Sequence, residues 1–195
     1  MIIKLYFDGA CLDNDVVGGK GRGGCGAILQ YYVNGNNRNQ TIELKKGLGV
    51  GATNNIAEYE ALIMGIEHAN FLFNEEQLKI YGDSNLVVNM VSGKWGWKKK
   101  RWVGHHDKPH LQKLLFKVRS LLSERPLEST IEWIPREQNT DADALSDAGV
   151  LEGGDEKWGV EYVMGLGYAD NDLHMINGKT KPTSTTIPPE QLSAF

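Results

Sequence analysis

Apolar and polar positions in this 195-residue chain change period along its length, and the changes mark its elements. Residues 2–8 form a β-branched and aromatic run that closes on Asp8-Gly9, which predicts a strand ending in a carboxylate. Residues 26–33 and 41–47 predict two more strands, with Asn34-Gly35-Asn36-Asn37 as the turn between them. The period then shifts to three and four. Ile56, Tyr59, Leu62, Ile63, Ile66, Ala69 and Phe73 predict one long amphipathic helix over residues 55–73. Residues 78–81 read as a short buried strand before Gly82-Asp83, and residues 84–91 as a helix stopped by Gly93. A third helix over 109–122 presents Leu111, Leu114, Leu115, Val118 and Leu121. Residues 128–134 alternate as a strand, 135–139 form a loop, and a last helix runs from 140 to about 150. The order β-β-β-α-β-α-α-β-α predicts an α/β fold. Its five-stranded mixed sheet would begin as an antiparallel meander, continue with parallel strands, and carry helices on both faces.

With 41% hydrophobic residues, the chain can bury one full core, so one domain over residues 1–150 and an appendage over 151–195 are expected. Trp158, Tyr162, Val163 and Met164 suggest that the first half of the appendage docks, while the tail from residue 177 reads as a linker. No apolar run approaches the length of a membrane span, and the N-terminal run is too short for a signal segment. A cytoplasmic, monomeric protein without a membrane partner is expected. Cys11 and Cys25 lack CxxC spacing and are expected as free thiols.

A net charge of −4 argues against a polyanionic partner, but its distribution reverses that conclusion. Between residues 94 and 119 lie nine cations and one acid, Asp107. Trp95, Trp97 and Trp102 are interleaved with Lys98, Lys99, Lys100 and Arg101, which suits a nucleic-acid surface. The alternative is a solvated lysine face with its indoles in the core.

The glycine-rich stretch 12–24 fails as an EF-hand, because Val17 and Gly24 occupy positions that need oxygen ligands. It also lacks a Gly-Lys-Ser/Thr phosphate loop and reads as a flexible hairpin loop. His105, His106 and His110 have no cysteine beside them and read as exposed histidines. Asp8, Glu58, Asp83 and Asp143 each have a structural explanation. Asp8 could close a turn, Asp83 could cap the helix after it, and Asn55/Glu58 and Thr140/Asp143 could form capping boxes. Together, two acids at strand ends and two in first helical turns can converge on one edge of an α/β sheet, where ligands bind in this class. Clustered carboxylates repel unless cations neutralise them, and hard oxygen donors select Mg²⁺ or Mn²⁺.

Five ordered blocks over residues 1–150 resemble the type 1 ribonuclease H family. They are Tyr6-Phe7-Asp8-Gly9-Ala10-Cys11-Leu12-Asp13-Asn14, Gly24-Cys25-Gly26-Ala27-Ile28-Leu29, Thr53-Asn54-Asn55-Ile56-Ala57-Glu58-Tyr59-Glu60-Ala61-Leu62, Asp83-Ser84-Asn85-Leu86-Val87-Val88 and Arg136-Glu137-Gln138-Asn139-Thr140-Asp141-Ala142-Asp143-Ala144-Leu145. The resemblance implies a ribonuclease H-like fold and an endonuclease that cuts the RNA strand of an RNA–DNA hybrid. Two Mg²⁺ ions, or Mn²⁺, would be its cofactors, and 5′-phosphate and 3′-hydroxyl ends its products. It further implies that Asp8 bridges both ions, that Asp143 completes the water-activating site, and that Glu58 and Asp83 hold the ion facing the leaving oxygen. Asp141 competes with Asp143, and the family pattern Ala142-Asp143-Ala144-Leu145 favours Asp143.

The same resemblance places Asn14, Asn54, Asn55 and Asn85 at minor-groove positions and Thr53 at a DNA phosphate. It makes the segment from Trp95 to Trp102 a basic protrusion. Two departures stand out. Gly51 replaces an arginine found in some members, and the loop before the last helix lacks the histidine that many carry, leaving Arg136 or Glu137 as auxiliary candidates. The rival readings are an inactive hybrid-binding module, which predicts a missing acid, and a transposase or junction resolvase, which predicts different flanking motifs.

Overall fold

The computed structural model describes residues 1–13, 21–32 and 39–154. The turn expected at 34–37, Asn14, and the docking residues of the appendage lie outside the described residues. Strands β1 (Ile2–Leu12), β2 (Arg22–Tyr32) and β3 (Asn39–Val50) form the antiparallel meander. After helix α1 (Asn54–Phe73), strand β4 (Gln77–Gly82) returns parallel to β1. Helix α2 (Asn85–Val91) leads into a small hairpin of β5 (Trp97–Lys98) and β6 (Arg101–Trp102). Helix α3 (Pro109–Ser123) then precedes β7 (Thr130–Trp133), which lies parallel to β4. A 3-10 turn at Arg136–Gln138 opens into α4 (Thr140–Glu152), so the last helix passes beyond residue 150.

The main sheet has the order β3-β2-β1-β4-β7, the mixed arrangement that the element order predicts. Side chains alternate across β1. Ile3, Leu5 and Phe7 are fully buried on the α1 side, where Leu5 packs on Gly65 of the helix. Tyr6 and Asp8 point to the other side, where α4 crosses β1, β2 and β3. Helix α1 is not simply amphipathic. The sheet takes one side and α3 another, so Ala57, Glu60 and Ala61 are buried along with the predicted apolar stripe. Its last turn is held by Arg125, which donates to the carbonyls of Phe73 and Glu76 at 2.9 and 2.6 Å and to Asn70 Oδ1 at 2.7 Å. That guanidinium gives the Phe73 carbonyl a second donor beside the Glu76 N–H and pins the turn that leads into β4. Among the described residues, no helix is long and apolar enough to cross a membrane.

The glycines read as a flexible loop belong partly to β2, where close approach is their use. A Cβ on Gly24 would stand 2.1 Å from the Val150 nitrogen, and one on Gly26 2.5 Å from the Ser146 nitrogen. Both seat α4 directly on the sheet backbone. Gly24→Ala should therefore cost about 1–3 kcal/mol through forced displacement of α4, measured by urea unfolding. Cys11 and Cys25 are free, as expected.

Candidate active site

Pairing between β1 and β4 ends at Phe7 and Gly82, while β1 continues to Leu12 against β2 alone. Asp8 therefore lies within β1, not at its end, just where its parallel neighbour stops. Beyond this point β1 is flanked by α1 on one face and α4 on the other, which leaves the sheet edge open between them. Asp83 follows β4 directly on the same edge.

Gly9 brings the next acid in. A Cβ there would lie 2.1 Å from the Glu58 nitrogen, so α1 rests its backbone against the strand and delivers Glu58 beside Asp8. The capping expectation for Glu58 is overturned. Thr53 is the N-cap, its hydroxyl accepting from the Ile56 N–H at 3.4 Å, and Glu58 lies beyond the first turn, out of capping reach. Asp83 is likewise not a cap, since the Ser84 hydroxyl accepts from the Val87 N–H. Asn139 precedes α4 without a side-chain cap, so Thr140 and Asp143 form no capping box.

All four acids meet a protein donor, Glu58 through the Ser84 side chain. Ser146 Oγ donates to Asp8 Oδ2 at 2.5 Å, Asn139 Nδ2 to Asp83 Oδ1 at 2.7 Å, and Arg136 pairs with Asp143 Oδ1 at 2.5 Å. The Asn139 amide also donates to the Phe7 carbonyl at 2.9 Å, tying the middle of β1 to the start of α4. Although the Glu58 side chain is half-buried as a whole, its Oε2 is sealed from solvent and has no hydrogen-bond partner among the described residues.

Burial is the main cause that pushes the Asp8 carboxyl up to about 6, with the charges of Asp83 and Asp143 adding to it against the Ser146 hydrogen bond and Arg136. Burial, then Asp8 and Asp83, holds Glu58 well above the usual carboxylate range, against Arg136 and a Ser84 hydrogen bond. The four acids thus feel one another. Asp141 does not join them; it is exposed, lining a cavity with Tyr6, Ile28, Gln30 and Asn139. Of the two auxiliary candidates, Arg136 is 72% exposed and reaches over the cluster, whereas Glu137 is exposed on the 3-10 turn.

Among the described residues, no three His, Cys, Asp or Glu side chains are gathered as a ready metal-holding group. The donor chemistry nevertheless fits a hard divalent ion. Every candidate ligand is a carboxylate, their charges oppose one another, and one buried oxygen, Glu58 Oε2, has no partner among the described residues.

The basic segment forms the β5–β6 hairpin beside α2. Trp95 and Trp97 are 46% and 51% exposed, while Trp102 is half-buried, with the Arg119 guanidinium 4.5 Å above its ring. The indoles are oriented by donation to the chain, Trp97 to the Gly93 carbonyl at 2.8 Å and Trp102 to the Trp95 carbonyl at 2.9 Å. At the tip, Lys99 and Lys100 have φ of 50° and 63°, a primed turn that usually takes Asn and Gly. Lys98, Lys99, Lys100 and Arg101 are all exposed. Asn85 is exposed at the start of α2, Asn54 is exposed at the start of α1, and Asn55 is half-buried next to it. His105 is a correction. It is buried, not exposed, and its ring meets the Tyr59 hydroxyl.

Three further residues of the site, Ser146, Asn139 and Trp133, escape a reading of the sequence. Ser146 lies one turn after Asp143, a spacing that puts both on one face of α4. Asn139 reads as an ordinary loop residue before a helix. Trp133, 48% exposed, donates its indole N–H to the Asp83 carbonyl at 2.9 Å, and nothing in its local pattern signals this.

A family model described as "Reverse transcriptase-like" matches residues 7–149. The bifunctional protein Rv2228c of Mycobacterium tuberculosis is 37% identical over 105 residues, covering 54% of this chain and 26% of its own length. The chain thus spans about a quarter of that relative. Among solved structures, the RNase H1 of Halobacterium salinarum is 30% identical, covers 78% of this chain and 100% of its own, and superposes with a TM-score of 0.60. LC11-RNase H1, solved in complex with an RNA/DNA hybrid, is 27% identical, with 77% and 97% coverage and a TM-score of 0.59. The matched family model, the five-stranded sheet and this coverage lead to one conclusion: the chain belongs to the type 1 ribonuclease H family.

Proposed function

We propose that this chain hydrolyses the RNA strand of RNA–DNA hybrids, with residues 1–150 as the catalytic unit. The observation that carries the reading is the convergence of Asp8, Glu58, Asp83 and Asp143 on the edge where β4 stops beside β1. The complex formed by LC11-RNase H1 supports a hybrid as substrate. Asp8 would be shared by two ions, Asp143 would complete the site on the water side, and Glu58 and Asp83 would hold the ion on the leaving-group side. Bound there, two Mg²⁺ or Mn²⁺ ions would supply charge neutralisation and a water of lowered pKa for in-line displacement.

The protein groups have separate tasks. Ser146 and Asn139 hold Asp8 and Asp83 in place, and Arg136 screens the mutual repulsion of the acids. Asn54, Asn55 and Asn85 are suited to groove edges carrying 2′-hydroxyls, and Thr53 to a phosphate of the DNA strand. The basic hairpin supplies cations and exposed indoles for the backbone farther along the duplex. Hydrolysis breaks the P–O3′ bond and leaves 5′-phosphate and 3′-hydroxyl ends.

Labelled RNA–DNA hybrid, RNA duplex and DNA duplex should be incubated with Mg²⁺ or Mn²⁺, and only the hybrid is expected to be cut, in its RNA strand. Intact hybrid, or equal cutting of DNA duplex, would overturn the reading. Within the site, Asp143→Asn should remove activity while Asp141→Asn retains it, compared by initial rates. Arg136→Gln should move the acidic limb of the pH–rate profile to higher pH, because Arg136 favours the ionised forms of Asp8 and Glu58.

A further inference from the structure

The hairpin and the acidic cluster are separate features in sequence, yet one buried pair joins them. The second leg of the hairpin re-enters the body at Gly104 and His105. Gly104 has φ of +63°, and a Cβ there would lie 2.5 Å from Gln112 Oε1, so the chain turns tightly against α3. The His105 N–H is donated to that same Gln112 Oε1 at 2.5 Å. The His105 ring then reaches α1, with its Nε2 2.8 Å from the Tyr59 hydroxyl and the two rings edge to face at 5.7 Å. Tyr59 is fully buried and His105 nearly so.

A buried hydroxyl facing an imidazole nitrogen is a directional contact, costly to leave unmade. Burial, helped by Lys108 and His110, lowers His105 to about 4, so the ring is neutral near pH 7 and its Nε2 can accept from the Tyr59 O–H. Tyr59 directly follows Glu58. The contact therefore ties the root of the hairpin to the helix that presents a proposed metal ligand, independently of the first leg, where the Trp95 N–H donates to the Asn89 carbonyl of α2.

We propose that the Tyr59–His105 contact is the joint that sets the position of the basic hairpin relative to the catalytic helix, making Tyr59 and His105 positioning residues for hybrid binding. This rests on the hybrid-nuclease reading above. A rigid joint lets hairpin cations and active-site acids engage one duplex in a single register. Without it, the hairpin still carries its charge but is placed less accurately, so binding weakens while chemistry at a bound phosphate does not.

The test is Tyr59→Phe in the full chain, which deletes one hydroxyl. On a hybrid long enough to reach the hairpin, KM is expected to rise about fivefold with kcat within about twofold. On a hybrid too short to reach it, neither should change. Indole N–H exchange of Trp97 and Trp102, followed by NMR, should quicken. His105→Gln offers an amide that can still accept from Tyr59 and should keep KM closer to the parent. If Tyr59→Phe fails to fold, His105→Asn, whose shorter side chain loses the contact, provides the measurement in its place. Combining Tyr59→Phe with His105→Asn should raise KM no further than either change alone. Equal loss on short and long hybrids, a fall in kcat at constant KM, or unchanged indole exchange would overturn the joint. If the parent protein does not cut hybrid, the functional reading falls, whereas indole exchange still decides whether the contact positions the hairpin.

Discussion

Glu58→Gln is expected to reduce hybrid hydrolysis by about 1,000-fold, roughly 4 kcal/mol of barrier, while raising the melting temperature of the protein in chelator. The two effects have one origin. Glu58 Oε2 is closed off from solvent beside Asp8 and Asp83, with no hydrogen-bond partner among the described residues, an arrangement that opposes folding and suits a cation. An amide keeps the shape and removes the charge, so about 2–4 °C should be gained for each kcal/mol of repulsion relieved. The pH dependence has a definite sign. Asp8 is raised from 3.8 to about 6, so the folded state holds its proton more tightly than the unfolded state. The resulting stability is fully present below about pH 4 and is lost as pH rises through about 6. Glu58 is shifted in the same direction. In chelator the contribution of this pair to the melting temperature should therefore be larger at pH 5 than at pH 7, and the difference should shrink in the Gln variant. Divalent ions should restore stability at pH 7 by binding the folded form. A variant that retains more than a tenth of the parent rate, or melts lower, would refute this account of Glu58.

Replacing Lys98, Lys99, Lys100 and Arg101 together with alanine should weaken hybrid binding on the order of 100-fold at low salt. All four are exposed on the hairpin or its tip, away from the hydrogen bonds and ion pairs that hold the acidic cluster. The slope of log affinity against log salt should flatten by up to about 4, close to one for each phosphate that is no longer neutralised. The rate on saturating hybrid should hardly change. Fluorescence anisotropy with labelled hybrid across a salt series measures both affinity and slope. An unchanged slope would mean that these cations face solvent and leave the nucleic acid to other groups. The primed turn at Lys99-Lys100 adds a reason to expect a role, since two non-glycine residues at positive φ are unfavourable without some return.

Much of the architecture is legible from periodicity. The shift from period two to period three-and-four after residue 53 locates the meander and α1, and the later alternation of short apolar runs with helical patterns locates β4 and β7. Boundaries are less legible, because strand pairing lengthens β1 and β3 beyond their apolar runs. Caps are ambiguous where two candidates stand side by side. Thr53 and Asn55 are both good caps, as are Asp83 and Ser84, and only the path of the backbone selects Thr53 and Ser84. The burial of His105 is hidden for a related reason. Its sequence neighbours are polar, while the partner that buries it, Tyr59, is 46 residues away.

Element order, the basic character of the segment between α2 and α3, and the four carboxylates that the family blocks single out are all properties of the linear chain. They are local, carried by composition, period and short motifs. Folding in three dimensions decides the rest: Glu58 Oε2 is closed off from solvent while Asp141 is exposed, Ser146 and Asn139 brace the acids, and glycines at 9, 24 and 26 bring helix backbones against strands. These features depend on which backbones approach within a side chain's thickness of each other. That approach is set by packing across the sheet, between residues the linear pattern keeps far apart.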